Sequence, residues 1–156
     1  MLLLLFGPPC SGKSTVAELL SRRTGASVWT GKDYLRLARS EDEAWQEFMR
    51  LAEEAAQNPQ FGPGSIIFIA TEPPPKSSGF PTGPNTGRVR LIADLEVLQD
   101  RFAPRVNGWI SPVITTMLEQ LSVRARQEEA DLEYDTGREE SHRIAEALMA
   151  WYTRTD

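Results

Sequence analysis

The residues best suited to chemistry lie near the start of the chain, in the segment Gly7-Pro8-Pro9-Cys10-Ser11-Gly12-Lys13-Ser14. Its spacing matches the pattern G-x-x-x-x-G-K-[ST], whose glycines allow backbone angles that a side chain would block. In such a loop the backbone N–H groups converge on phosphate oxygens, and the following helix adds the positive end of its dipole. We expect the Lys13 ammonium to reach the β- and γ-phosphates of a nucleotide and the Ser14 hydroxyl to ligate Mg²⁺.

This interpretation requires a strand before the loop and a helix after it. Residues 2–6 are a short continuous apolar run, which is typical of a buried parallel strand. Residues 13–23 place Val16, Leu19 and Leu20 on one helical face, and Gly25 ends the helix. Because both flanks are present, we predict that the segment and the following Thr15 bind ATP with Mg²⁺. The guanine signature Asn-Lys-x-Asp of many GTPases does not occur, which favours ATP over GTP.

Strands and helices alternate along the rest of the chain. Further strands are predicted at residues 26–30, 65–70, 89–93 and 130–134, with helices at residues 34–38 and 112–127 and another beginning at Leu95. Residues 73–87 contain five prolines and three glycines and are predicted to be a long loop. The pattern predicts an α/β protein with the three-layer P-loop nucleoside triphosphate hydrolase fold, a parallel sheet of about five strands, and a single domain over residues 1–156.

Two capping-box patterns, Ser40 with Glu43 and Thr136 with Glu139, predict the starts of two more helices. Helical spacing predicts which side chains of these helices face inward. They are Trp45, Phe48, Leu51, Ala52 and Ala55 in the first helix and Ile144, Ala145, Leu148 and Trp151 in the second.

Composition limits the protein class. The net charge of −5, from 17 basic and 22 acidic residues, argues against a broad nucleic-acid-binding face. The one cysteine, Cys10, cannot form an internal disulfide, so we expect a cytoplasmic protein. The apolar run at residues 2–6 is too short for a signal peptide, and no later segment has the roughly 18 apolar residues of a membrane span.

Three acids follow predicted strands, at the edge where open α/β sheets bind ligands. Asp33 can accept a proton from an acceptor hydroxyl or hold a Mg²⁺ water, and it can equally be the N-cap of the next helix. Glu72 and Asp94 each follow an apolar strand and are alternative Mg²⁺-assisting carboxylates. The sequence leaves this choice open.

Other polar and aromatic residues carry weaker predictions. Arg36 and Arg39 can bind an anionic acceptor or face solvent, and we expect a passive loop position for Cys10 and a surface or packing role for His142. The four tryptophans are interpreted as core or substrate-rim residues. They are Trp29, Trp45, Trp109 and Trp151.

The sequence resembles the small P-loop metabolite kinases, which include gluconate kinase, shikimate kinase and the nucleoside monophosphate kinases. The resemblance lies in the loop and first helix, in Gly31-Lys32-Asp33 and in the acidic-then-tryptophan stretch that ends at Trp45. Residues 95–105 resemble the helix that leads into the family's lid, which implies a lid at residues 101–112. It further implies that Arg101 touches the adenine or phosphates and that Arg105 closes on the γ-phosphate, although both arginines can also be a solvated helix end.

The resemblance implies an ATP-dependent phosphotransferase that acts on a small-molecule acceptor, with Lys13, Asp33, Arg101 and Arg105 as catalytic residues. Oligomeric state is left as monomer or homodimer. Two alternatives remain open, a nucleotide-binding regulatory protein with little turnover and a polynucleotide 5′-kinase. The acidic balance of the chain disfavours the second alternative.

Overall fold

The chain folds around one parallel sheet. The computed structural model describes residues 1–153, so the last three residues of the predicted single domain lie outside the described residues. Within that range the sheet has five strands in the order β2-β3-β1-β4-β5. They are β1 (Leu2–Phe6), β2 (Ser27–Thr30), β3 (Ile66–Ala70), β4 (Thr86–Ile92) and β5 (Leu132–Asp135). Every neighbouring pair is parallel, which confirms the predicted fold class.

The described residues form five α-helices, of which four lie between strands and the last follows β5. They are α1 (Lys13–Thr24), α2 (Glu41–Gln57), α3 (Leu95–Phe102), α4 (Pro112–Gln127) and α5 (Ser141–Thr153). Short 3₁₀ turns lie at Asp33–Leu37, Lys76–Ser78 and Ala103–Val106. In the part of the chain that the structure describes, no helix is both long and apolar enough to cross a membrane.

Strand β1 is the centre of the core because it is buried on both faces. Leu3 and Leu5 pack on one face with side chains of α1 and α5. Leu2, Leu4 and Phe6 pack on the other face with side chains of α2. This is why the strand reads as a continuous apolar run, and it gives the three layers expected of a sheet covered by helices on both sides.

The first predicted capping box forms, with Ser40 Oγ accepting a hydrogen bond from the Glu43 N–H at 3.2 Å. The second prediction is wrong, because α5 begins at Ser141, five residues after Thr136. Residues after β5 instead make a turn in which the Arg138 and Glu139 N–H groups donate to the Asp135 carbonyl. The Thr136 hydroxyl instead donates a hydrogen bond to the Ser11 carbonyl.

Other predictions differ from the structure by small shifts along the chain. Trp151 does not face inward and is 46% exposed, whereas the next residue, Tyr152, is buried in the α1–α5 side of the core. Strand β4 begins three residues earlier than predicted, at Thr86, inside the segment interpreted as a loop. The connection between α3 and α4 consists of the Ala103–Val106 turn and a reversal at Asn107, whose φ is 56°.

Candidate functional site

The glycine-bounded segment joins β1 to α1 at the carboxyl edge of the sheet. Its two glycines are required by close approach as well as by backbone angle. Gly7 has φ 155°, and a Cβ there would lie 2.0 Å from the Leu91 carbonyl oxygen. Gly12 has φ 92°, and a Cβ there would lie 3.1 Å from Thr136 Cγ2. The segment is therefore pressed against β4 and against the turn after β5.

Lys13 is the buried cation of this segment, with only 9% of its surface exposed. Its Nζ donates to the Gly7 carbonyl at 2.6 Å and to the Pro8 carbonyl at 2.8 Å. Burial lowers the pKa of Lys13 to about 8, Cys10 opposes this change, and the charge of Arg105 adds to it. Because two carbonyl dipoles do not fully replace the lost hydration, an anion beside Lys13 would stabilise its charged form.

Arg101 and Thr136 tie the segment to the rest of the sheet edge. Arg101 Nη1 donates to the Cys10 carbonyl and to Thr136 Oγ1, both at 2.9 Å, and Nη2 donates to the Thr136 carbonyl at 2.9 Å. Thr136 Oγ1 in turn donates to the Ser11 carbonyl at 2.8 Å. We call this set of hydrogen bonds the Arg101–Thr136 tether. It fixes the loop from both α3 and the β5–α5 turn.

A cavity of about 640 Å³, the loop pocket, opens over the segment. It is lined by Pro9, Cys10, Ser11, Gly12, Lys13, Ser14, Thr15, Thr71, Arg101, Arg105, Thr136 and Ser141. Ser11 is fully buried, and its Oγ has no hydrogen-bond partner among the described residues. A desolvated ammonium and two arginines are a donor set that fits phosphate oxygens.

A second and larger cavity of about 930 Å³, the aromatic cleft, lies beside the loop pocket at the ends of β2 and β3. Lys13 and Thr71 line both cavities. The other residues of the cleft are Thr30, Gly31, Lys32, Tyr34, Glu41, Asp42, Trp45, Gln46, Phe68, Ile69, Ala70, Glu72, Pro73, Pro74, Pro75 and Ser78. The two cavities therefore meet at the lysine.

Aromatic rings form the back wall of the cleft. The Tyr34 and Trp45 rings meet edge to face with centroids 5.1 Å apart, and Trp45 also packs on Phe68. Trp45 Nε1 donates to the Ser78 carbonyl at 2.9 Å, which holds the proline-rich connection against α2. At the rim, the Tyr34 hydroxyl donates to Glu41 Oε1 at 3.3 Å.

The structure brings the predicted site residues Lys13, Ser14, Arg101 and Arg105 around the loop pocket, together with residues 9–12 and Thr15 of the predicted phosphate-binding segment. It does not bring Asp33 there. The Asp33 carboxylate accepts the Thr30 N–H at 2.7 Å, a bond that holds its pKa below the usual value, and its side chain lines a separate hollow with Arg36. Asp33 is the first residue of its turn and Lys32 occupies the N-cap, so the N-cap prediction is wrong.

The alternative carboxylates also have other surroundings. Glu72 lines the aromatic cleft, but its Oε1 pairs with Arg124 Nη1 at 3.0 Å. Asp94 is exposed just before α3 and lines neither cavity. Among residues 1–153 no group of three or more metal-ligating side chains comes together.

Of the residues with weaker predictions, Cys10 lies in the loop pocket, and His142 and Arg39 lie outside both cavities. Cys10 is half-buried in the loop with φ 65°. His142 is exposed on α5, with Nδ1 3.2 Å from Glu140 Oε2, as predicted for a surface residue. Arg39 lines neither cavity.

Sequence reasoning did not assign Thr71, Thr136 or Ser141 to the site, although all three line the loop pocket. Thr71 and Thr136 immediately follow β3 and β5, and the rule that ligands bind at the carboxyl ends of parallel strands was the signal that could have found them.

No protein-family model and no curated protein sequence matches the chain. Solved structures match along nearly the whole length. Shikimate kinase from Aquifex aeolicus has a TM-score of 0.59 and 15% identity, over 98% of this chain and 96% of that one. A gluconokinase from Sinorhizobium meliloti has a TM-score of 0.57 and 16% identity, over 97% of this chain and 91% of that one.

The YorR protein from Bacillus subtilis, solved in complex with phosphorylated GDP, has a TM-score of 0.66 and 23% identity, over 98% of this chain and 96% of that one. At such identities the comparisons establish the fold. The chain therefore has the P-loop fold that shikimate kinase and gluconokinase share, as the resemblance in sequence implied.

Proposed function

We propose that the chain is an ATP-dependent phosphotransferase that moves the γ-phosphate of ATP to a hydroxyl group of a small molecule. The observation that carries the proposal is the meeting of the two cavities at Lys13 and Thr71. A nucleotide in the loop pocket and a second molecule in the aromatic cleft would have their reacting groups beside the same ammonium. Holding two reactants in contact is the main contribution that a protein makes to phosphoryl transfer.

On this proposal the segment from Gly7 through Thr15 binds the phosphates of ATP. The loop N–H groups donate to phosphate oxygens, and Lys13 neutralises the β- and γ-phosphates. Ser14 would hold Mg²⁺ together with those phosphates, since its hydroxyl directly follows the loop lysine and lines the pocket. When bound, Mg²⁺ neutralises charge on the transferred group and orients it.

Two arginines complete the pocket with different roles. Among residues 1–153 no carboxylate forms an ion pair with Arg105, and its guanidinium lies over the Phe102 ring at 5.6 Å, so its charge is available to the transferred phosphoryl group. Arg101 holds the loop in shape through its three hydrogen bonds and lies where it can also touch the nucleotide. A lid at residues 101–112 that carries Arg105 stays a prediction.

Asp33 stays our candidate on the acceptor side. Because its carboxylate accepts the N–H of Thr30, which lines the aromatic cleft, we expect it to act by fixing the end of β2. A loose transition state needs little help from a general base, so a carboxylate in direct contact with the acceptor is not required. A cytoplasmic location and a monomeric or homodimeric state also stay predictions.

The test is a transfer assay with ATP labelled in the γ-phosphate. The protein is incubated with Mg²⁺, labelled ATP and pools of small hydroxyl compounds and nucleosides, and chromatography separates organic phosphate esters from inorganic phosphate. A kinase gives a labelled ester and an equal amount of ADP, and Lys13→Ala gives neither.

The same assay distinguishes the alternatives. A regulatory nucleotide-binding protein gives slow release of inorganic phosphate with no labelled ester. A polynucleotide 5′-kinase labels a 5′-hydroxyl oligonucleotide and no small molecule. If the protein binds no ATP and forms neither product, the proposal is wrong.

A further inference from the structure

We propose that the aromatic cleft selects an uncharged or amine-bearing hydroxyl compound and disfavours acceptors with a carboxylate or phosphate group. This inference rests on the proposed function, because it names the acceptor class of the same site. The observation behind it is the identity of the charged side chains that line the cleft. None of the arginines in residues 1–153 is among them, and its two cations are Lys13 and Lys32.

The two lysines do not provide an anion site. Lys13 Nζ is bound to the Gly7 and Pro8 carbonyls and faces the phosphate groups in the proposed reaction. Lys32 is exposed at the rim. The carboxylates of Glu41 and Asp42, which begin α2, line the same cleft.

The arginines that the sequence suggested for an anionic acceptor lie elsewhere. Arg36 lines the separate hollow beside Asp33, and Arg39 lines neither cavity. Arg124 lies in the adjoining cavity and is paired with Glu72. With Glu72 neutralised by that pair, two carboxylates against one ammonium leave the mouth of the cleft negative.

The wall of the cleft also disfavours an anionic acceptor. It is made of the Tyr34 and Trp45 rings, Phe68, the end of β3 and a run of three prolines. Moving an anion from water against such a surface is unfavourable unless a cation pairs with it. Aromatic faces attract cations and pack well on a flat apolar body. An acceptor with a ring, a hydroxyl and no negative charge matches this lining.

The experiment uses three phenols that differ only in the end of the side chain. Tyramine carries an amine, tyrosol an alcohol and 4-hydroxyphenylacetate a carboxylate. Each is titrated into ¹⁵N-labelled protein with a saturating non-hydrolysable ATP analogue and Mg²⁺, and the indole N–H signal of Trp45 reports binding. We expect tyramine to bind about tenfold more tightly than 4-hydroxyphenylacetate at low ionic strength, with tyrosol between them.

The carboxylates are tested with a double variant, Glu41→Gln with Asp42→Asn. It should reduce the tenfold difference to about twofold, and its thermal midpoint shows that it folds. The matched control, Glu53→Gln with Glu54→Gln, changes two exposed acids of the same helix that do not line the cleft and should keep the difference.

The inference is overturned if the carboxylate probe binds as tightly as the amine, or if no probe shifts the Trp45 signal. Either result leaves the transfer assay and ATP binding unaffected. Failure of the proposed function would instead appear as no binding of the ATP analogue. Phosphoryl transfer to an anionic acceptor would keep the proposed function and overturn this inference.

Discussion

The loop pocket and the aromatic cleft meet at one lysine, but they are built from different parts of the chain. The loop pocket is built on the segment that joins β1 to α1, and hydrogen bonds from Arg101 and Thr136 fix the backbone of that segment. The cleft is made of side chains from four separate segments, and Trp45 donates the hydrogen bond that joins α2 to the proline-rich connection. A backbone site must be rigid to aim its N–H groups, whereas a side-chain site can change its ligand by substitution.

The largest expected effect comes from removing the cation that both regions share. Lys13→Ala should lower the rate of phosphoryl transfer by about 10²- to 10³-fold, because it removes a preorganised charge at the developing transition state. Lys32→Ala is the matched control, since it removes the exposed lysine of the cleft alone and should change the rate by less than about fivefold. Initial rates of ADP formation measure both. Equal losses in the two variants would mean that the cavities do not meet functionally at Lys13.

Rigidity of the loop can be tested at Gly7. Gly7→Ala should destabilise the protein by at least about 3 kcal/mol, since its Cβ would meet the Leu91 carbonyl oxygen and its φ is in the left-handed region. Gly31→Ala, on the cleft side, places its new Cβ more than 4 Å from any non-neighbouring atom and should change the free energy of unfolding little. Urea denaturation gives both free energies of unfolding. A stable Gly7→Ala protein would contradict the close packing of the loop.

The tether can be weakened without changing the size of a side chain. Thr136→Val should lower the free energy of unfolding by about 1–2 kcal/mol, because it leaves the Ser11 carbonyl without its hydrogen-bond donor at a buried position and removes one of the acceptors of Arg101 Nη1. We also expect about tenfold weaker binding of an ATP analogue. Thr116→Val on α4, whose hydroxyl bonds only within its own helix, is the control. Unchanged nucleotide affinity in Thr136→Val would show that the tether does not position the loop.

A smaller effect should appear in the pH dependence of nucleotide binding. The folded pKa of Lys13, about 8, lies below the ordinary value of 10.5, and phosphate groups should raise it again. Binding should therefore take up a proton and weaken as the pH rises above about 8.

Stability of the protein without nucleotide should change in the opposite direction. The unfolded state holds this proton more tightly, so the free energy of unfolding rises from about pH 8 towards 10.5. Calorimetry of the wild-type protein in buffers of different ionisation enthalpy measures the proton uptake on nucleotide binding. Urea denaturation over the same pH range measures the rise in stability, which Lys13→Met should abolish. A rise that persists in that variant would assign the proton to another group.

The two regions also differ in how much of them the sequence predicts. The motif with Lys13 and Ser14, the strand before it and the helix after it could be predicted, because they depend on local spacing and on hydrophobic periodicity. The pocket positions of Arg101 and Arg105 were implied by the resemblance to the metabolite kinases. The capping-box pattern at Thr136 misled because it is a local signal, and in the fold its hydroxyl bonds to Ser11, far away in the chain.

The cleft could not be predicted in the same way. Its lining brings the end of β2, the start of α2, β3 and the proline-rich connection together, and this depends on strand order and on the packing of rings such as Trp45 and Phe68. The placement of Asp33 is another tertiary result. Its carboxylate turns back to Thr30 and away from the cleft, although its position after β2 suggested the opposite.

Calorimetric titration of a non-hydrolysable ATP analogue with Mg²⁺ tests the central claim most directly, because it reports on the loop pocket without any acceptor. Wild-type protein and Lys32→Ala should each bind one nucleotide per chain with similar affinity, and Lys13→Ala should give no measurable heat. The absence of heat with the wild-type protein, or wild-type affinity in Lys13→Ala, would contradict the account.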